Sequence, residues 1–326
     1  MKRHKICKII FAILAVFLCV AFYELIGICI TYKKQPAVSD ATIKETQNIM
    51  SVAGRENTER AVIIEKNSQA LLERVRLIQN AKDEIILSTF AFKSDESGKL
   101  ILGALHDAAD RGVHVRILVD GMESWIDMEG NPYFYGLSSH ENVEIKLYNK
   151  ANPLKPWKTM GRMHDKYLIA DGKIYILGGR NTYNYFLGDF PGHKNFDRDV
   201  LVVCDEPQKD NSVNQLWNYF ETIWEQEDCR YFHNSKKLAD RQSVKKAVLE
   251  LQEGYQQYFE VNKEKICDKD YADETFETEK ITLLSNPIHT QAKEPVVWYQ
   301  LGELMKNAKE RVKIHTPYII CNDMMY

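Results

Sequence analysis

Apolar residues are distributed along this chain in three patterns. The first is a block. Ile9 to Ile30 is a 22-residue apolar run interrupted only by Glu24, and at about 1.5 Å per residue it is long enough to cross a hydrocarbon core of about 30 Å. The second pattern is helical. Leu71, Leu72, Val75, Ile78 and Ala81 recur at helical spacing behind Ser68, a predicted N-cap, and a second helix is predicted over Lys99–Arg111, ending at Gly112. The third is extended: Glu84–Phe92 reads as a buried strand, and Val113, Val115, Ile117 and Val119 alternate with His114, Arg116 and Leu118 as another. Helix alternating with strand predicts an α/β domain with a central sheet.

The polar stretch Pro36–Thr58 has weak periodicity and reads as a stalk, with order beginning near Val62. Further on, Asn80–Thr89 (NAKDEIILST) has a counterpart in Asn307–Thr316 (NAKERVKIHT) at a constant offset of 227 residues, each following an amphipathic helix. The second copy reads as the opening of a second αβ unit of the same design. Lys236–Lys265 is charged and helix-prone, as suits a connector. The predicted organisation is therefore an anchor over 1–35, a stalk over 36–60, a first domain over 61–230, a helical connector over 231–279, and the truncated start of a second domain over 280–326.

Composition narrows this little: 44% hydrophobic and 27% charged is an ordinary globular balance. The net charge of -3 argues against a surface built throughout to hold nucleic acid, while leaving room for a local basic groove. Charge does orient the apolar block. Lys2, Arg3, Lys5 and Lys8 precede it, and Lys33 and Lys34 follow closely, so the positive-inside bias favours a cytoplasmic N-terminus and an external domain. A cleaved signal peptide is the rival, but its apolar region is shorter and ends at a small-x-small site that does not follow here. Cys204, Cys229, Cys267 and Cys321 are widely scattered and show no metal-ligand spacing. If the domain is external, disulfides are permitted with no pairing deducible.

Candidate chemistry is concentrated in Gly161–Asn181, GRMHDKYLIADGKIYILGGRN. Asp171-Gly172 is a two-residue hairpin signal between strand-like runs, which predicts His164 opposite Gly179 and Lys166 opposite Leu177. His164 and Lys166, two apart, share one strand face, and Asn181 leaves the second strand nearby. A histidine, an ammonium and a carboxamide thus converge beside two glycines that let a ligand approach the backbone. Attack on a phosphodiester needs such groups: a nucleophile, a cation, and donors for the oxygens that gather charge. Lys166 would act as a point charge on a non-bridging oxygen, so no metal or other cofactor is expected, and activity should resist chelators.

The pattern HxKxxxxD, here His164, Lys166 and Asp171, followed by Gly178-Gly179-x-Asn181, resembles the signature of the phospholipase D superfamily. Residues from about 60 to 326 fit that family's layout. The resemblance implies a phospholipase D-like α/β fold, with a mixed central sheet flanked by helices, here preceded by one transmembrane helix and followed by an incomplete second pseudo-repeat. It implies that His164 is the nucleophile or its acid/base partner, that Lys166 and Asn181, beside Gly179, bind phosphate, and that Asp171 mainly holds local structure. An acidic residue on the next strand would orient the histidine; Asp197 is the first candidate and Asp199 the second. Leu283–Pro287 and Ile314–Tyr318 resemble cardiolipin synthases, phosphatidyltransferases acting on phosphatidylglycerol.

Around the motif, Trp157, Lys158 and Arg162 lie in a proline-containing loop with Lys150 and Lys155, suiting anionic headgroups at an interface. Tyr183, with Tyr185 and Phe186, could rim the site or belong to the core. Family members build one site from two motifs, and the 227-residue offset puts a partner near position 391. A longer chain, a homodimer and an inactive protein are the three expectations, and the begun second repeat favours the first. The leading reading is a phosphatidyltransferase or phospholipase at the cell membrane. The alternatives are a nuclease-like phosphodiesterase, with nucleic acid the less expected substrate, and a non-catalytic membrane-tethered binding module.

Overall fold

The computed structural model describes residues 2–33, 35–51, 58–207, 209–233, 235–267, 270–314 and 316. It opens on α1 (Lys2–Tyr32), within which Lys5–Thr31 is long and apolar enough to cross a membrane. The segment expected as a stalk contains α2 (Asp40–Ser51).

The chain then alternates strand and helix: β1 (Arg60–Ile64), α3 (Asn67–Asn80), β2 (Glu84–Thr89), α4 (Glu96–Asp110), β3 (His114–Asp120), α5 (Gly121–Asp127), α6 (Pro132–Ser138) and β4 (Val143–Tyr148). The motif hairpin follows as β5 (Tyr167–Ala170) and β6 (Ile174–Gly178), then β7 (Asp199–Val203), α7 (Ser212–Trp224) and β8 (Cys229–Tyr231). Next come α8 (Lys236–Ala239), α9 (Gln242–Cys267), α10 (Tyr271–Glu274), β9 (Phe276–Glu277) and α11 (Val296–Lys306).

The nine strands of the described residues join one mixed sheet in the order β8-β4-β3-β2-β5-β6-β7-β1-β9. The β2–β3 and β3–β4 pairs are parallel and the others antiparallel. Helices cover both faces. Val115, Ile117 and Val119 join a core with Leu102 and Leu105 of α4, Phe134 of α6 and Leu251 of α9. Leu118 turns the other way, to Leu216, Phe220 and Trp224 of α7. On that second face Arg116 is buried because Glu84 and Glu221 meet its guanidinium at 2.7 and 2.5 Å. The helix expected as a connector, α9, buries Val244, Ala247, Leu251 and Tyr255.

Two local expectations shift. Helix α3 begins at Asn67 with Lys66 at the N-cap and no side-chain cap bond, so Ser68 already lies inside the helix. The motif hairpin has a three-residue turn. Asp171 and Gly172 both adopt positive φ, 53° and 61°, and Lys173 N–H closes on Ala170 O at 3.0 Å. Leu177 therefore pairs with Tyr167, and Gly178 N–H donates to Lys166 O, one residue from the predicted register.

The chain divides into two compact units, the first comprising residues 1–34, 54–283 and 288–292, the second 35–53, 284–287 and 293–326. In the second, α2 and α11 are in contact, and the Glu294 carboxylate accepts from Ser39 N–H at 2.8 Å and Thr42 Oγ1 at 2.6 Å at the start of α2. The repeat's helix is present as α11, while Val312–Ile314 forms no strand, nor does Leu283–Pro287; a strand backbone needs a hydrogen-bonding neighbour, and no described residue supplies one. His315, Pro317, Tyr318 and Cys321 lie outside the described residues. The other six cysteines are unpaired.

Candidate active site

Strand directions bring the candidate residues to one edge of the sheet. Ser88 at the end of β2 pairs with Tyr167 at the start of β5, and Tyr167 with Leu177 near the end of β6. Gly178 then pairs with Asp199 at the start of β7, and Asp199 with Ile64 at the end of β1. The segments just beyond these positions therefore project from the same edge: Phe90 after β2, His164–Lys166 before β5, Gly179–Asn181 after β6, and Asp197 before β7.

Phe90 is the hub. The His164 ring meets it edge-on with centroids 4.5 Å apart, Lys166 Nζ lies 5.4 Å from its centroid, and the Arg162 guanidinium lies 5.0 Å away on the same ring. Burial and the neighbouring Lys166 charge hold the His164 imidazole below its ordinary pKa, which keeps it neutral near pH 7. No described residue hydrogen-bonds its ring. Lys166 is buried, and desolvation brings its ammonium down to about 8. Its Nζ donates to His164 O at 2.6 Å. Asn181 is buried, and its Oδ1 accepts from Ala91 N–H at 3.2 Å; its amide nitrogen has no protein acceptor among the described residues.

The two acidic candidates are placed differently. Asp197 is half-buried against Gly179, where a Cβ would collide with its carboxylate, and its charge acts on Lys166. Asp199 is fully buried, with Arg74 Nη1 at 2.9 Å and Arg180 Nη1 at 3.3 Å. Those contacts are close ion pairs, although neither is aligned as a hydrogen bond. Asp171 lies at the opposite end of the hairpin, accepting from the backbone N–H groups of Lys82, Asp83 and Glu84 at 2.8–3.1 Å. Asp165, between the two motif bases, turns away and accepts from Tyr219 OH at 2.8 Å.

The flanking cations are already matched. Lys158 Nζ sits 2.7 and 2.9 Å from the two Asp228 oxygens. Arg162 forms a fork with the buried Asp120 carboxylate, Nη2 to Oδ1 at 2.7 Å and Nε to Oδ2 at 3.0 Å. Trp157 is 40% exposed. Tyr183 packs against Tyr185 and Phe186, with Lys93 Nζ 4.9 Å from its ring centroid. Sequence reasoning passed over Phe90 and Asp120. Both stand at the C-terminal ends of parallel strands, Asp120 capping α5 through Met122 N–H and receiving Met163 N–H. Their only sequence signal was that position. Among the described residues, no three His, Cys, Asp or Glu side chains are grouped to hold a metal ion.

Residues 75–224 match the family model described as "Cardiolipin synthase, PLD-like domain". An uncharacterized protein of Helicobacter pylori is 27% identical over 81% of this chain and 55% of its own length. Cardiolipin synthase C of Escherichia coli is 29% identical over 43% of this chain and 31% of its own. The chain thus spans about half of the first relative and about a third of the second. Among solved structures, NucT from Helicobacter pylori is 19% identical with a TM-score of 0.42, covering 53% of this chain and 99% of that one. Over residues 75–224 the chain thus carries a phospholipase D-like domain, with similarity to cardiolipin synthases.

Proposed function

We propose that this protein is a single-pass membrane phosphatidyltransferase or phospholipase, with its N-terminus cytoplasmic and its catalytic edge outside, acting on phosphatidylglycerol-like lipids. The observation that carries the reading is the neutral imidazole of His164 and the buried ammonium of Lys166 on one aromatic ring at the sheet edge. The His164 ring nitrogen attacks phosphorus, the phosphorus–oxygen bond to the headgroup alcohol breaks, and a phosphohistidine forms. Lys166 and the Asn181 amide take the charge on the non-bridging oxygens. A second alcohol, or water, then attacks phosphorus and frees the imidazole.

Protonation of the leaving alcohol is assigned to a second histidine, supplied by a further segment or a second copy, as the resemblance implies. Asp197 is the proposed orienting acid. The test is to incubate the full chain in phosphatidylglycerol vesicles, read products by mass spectrometry, and trap the phosphorylated chain. New cardiolipin or phosphatidic acid, lost in His164→Ala, is expected. Unchanged lipid would leave the tethered binding module, and cleavage of nucleic acid without lipid turnover would favour the phosphodiesterase.

A further inference from the structure

Large apolar side chains stand exposed along the edge that carries His164. Trp125 and Ile126 on α5 are 63% and 66% exposed, Leu154 in the connection from β4 to β5 is 78%, and Phe196 ahead of β7 is 76%. Helix α5 leaves the end of β3, Leu154 follows the end of β4, and Phe196 precedes the start of β7, so all four belong to the site edge. Isolated exposed apolar residues are ordinary. One of the four, Leu154, lies in a connection that packs directly on the apolar helix α1. Tyr23 OH donates to Leu154 O at 3.1 Å, and Gly27 packs so closely on Pro156 that a Cβ would not fit.

The depth of that contact follows from helix geometry. From Ile9, where the uncharged apolar block begins, Tyr23 and Gly27 lie about 21 and 27 Å along the axis. The hydrocarbon core is about 30 Å thick. The connection is therefore fastened to the outer part of the membrane-crossing stretch, approaching the headgroup boundary. Charge at the edge is compatible with this position. The α5 carboxylates are matched, Glu123 by Arg162 at 3.5 Å and Asp127 by Lys93 at 3.8 Å, while Lys150 and Lys155 are exposed.

We propose that this edge is a membrane-docking surface whose occupant is the bilayer that α1 enters. Trp125, Ile126, Leu154 and Phe196 sit at the acyl–headgroup boundary, with Lys150 and Lys155 toward anionic headgroups. The site then takes its lipid from within the bilayer plane. The inference deepens the phospholipid reading and rests on it.

The test places a nitroxide label on the full chain at Ile126→Cys, Leu154→Cys, Phe196→Cys or Phe276→Cys, with Cys7, Cys19, Cys29, Cys267 and Cys321 replaced by serine. Phe276 is 72% exposed on β9, beside Arg60 and Ala61 at the other end of β1. In vesicles of phosphatidylcholine and phosphatidylglycerol, collisions with oxygen should exceed those with a water-soluble nickel chelate at 126, 154 and 196, and the order should reverse at 276. Water-like collisions at 126 and 196 would overturn docking. Turnover of monomeric short-chain phosphatidylglycerol, measured in parallel, separates the two readings. Turnover with water-like labels sinks docking alone; lipid-like labels without turnover support docking and sink the transferase.

Discussion

Replacing Lys166 by methionine should stabilise the protein at neutral pH while removing a phosphate-binding cation. Lys166 is 6% exposed, and desolvation brings its ammonium down to about 8 from 10.5. That difference corresponds to roughly 3 kcal/mol against the charged form in the fold. The bond from Nζ to His164 O at 2.6 Å offsets about 1–2 kcal/mol of it and is lost in the variant. Methionine conserves most of the side-chain length and carries no charge, so the net gain at pH 7 is about 1–2 kcal/mol, or roughly 2–8 °C for a domain of this size. The sign of the pH dependence follows from the depressed value. The penalty is fully present below pH 8. Between about 8 and 10.5 the unfolded chain binds the proton more tightly than the folded one, so wild-type stability gains roughly 3 kcal/mol there relative to the variant. Tyrosines titrating in the same window are common to both proteins and cancel in the difference. The assay is thermal unfolding of full-length wild type and Lys166→Met in detergent from pH 6.5 to 10. A variant less stable at pH 7, or a difference that stays flat with pH, would refute the reasoning. Stability given up at a reactive site is a familiar exchange.

Three further outcomes are expected. Lipid turnover should rise with pH through a value below 6.5 as His164 becomes neutral, and fall near 8 as Lys166 loses its charge; pH–rate profiles of wild type and Lys166→Arg check this, since the arginine should extend the upper limb. Asp199→Asn should leave the buried Arg74 and Arg180 without their carboxylate and cost about 3–5 kcal/mol, read as a lowered unfolding temperature. Asp171→Ala should strand three backbone donors ahead of β2 and cost about 1–2 kcal/mol, with His164 still open to phosphoryl trapping after refolding is verified by circular dichroism.

What the sequence determined by itself was pattern and chemistry. The apolar block Ile9–Ile30, the alternation of Val113–Val119 and the spacing of His164, Lys166 and Asp171 are local properties; they carried the α/β class, the candidate membrane helix and the family resemblance. Tertiary structure decided whatever depends on distant partners. A single hydrogen bond from Lys173 to Ala170 set the hairpin register, and a one-residue difference of that kind is nearly invisible in a run of strand formers. Lys158 and Arg162 read as available cations, yet their charge was taken up by Asp228 and Asp120, residues 70 and 42 positions away. Phe90 carried no motif at all; it became the ring shared by His164, Lys166 and Arg162 because β2 and β5 run antiparallel, so that the end of β2 and the start of β5 meet at one edge. Ion pairs, registers and burial are relations between segments, and the chain must fold before those relations exist.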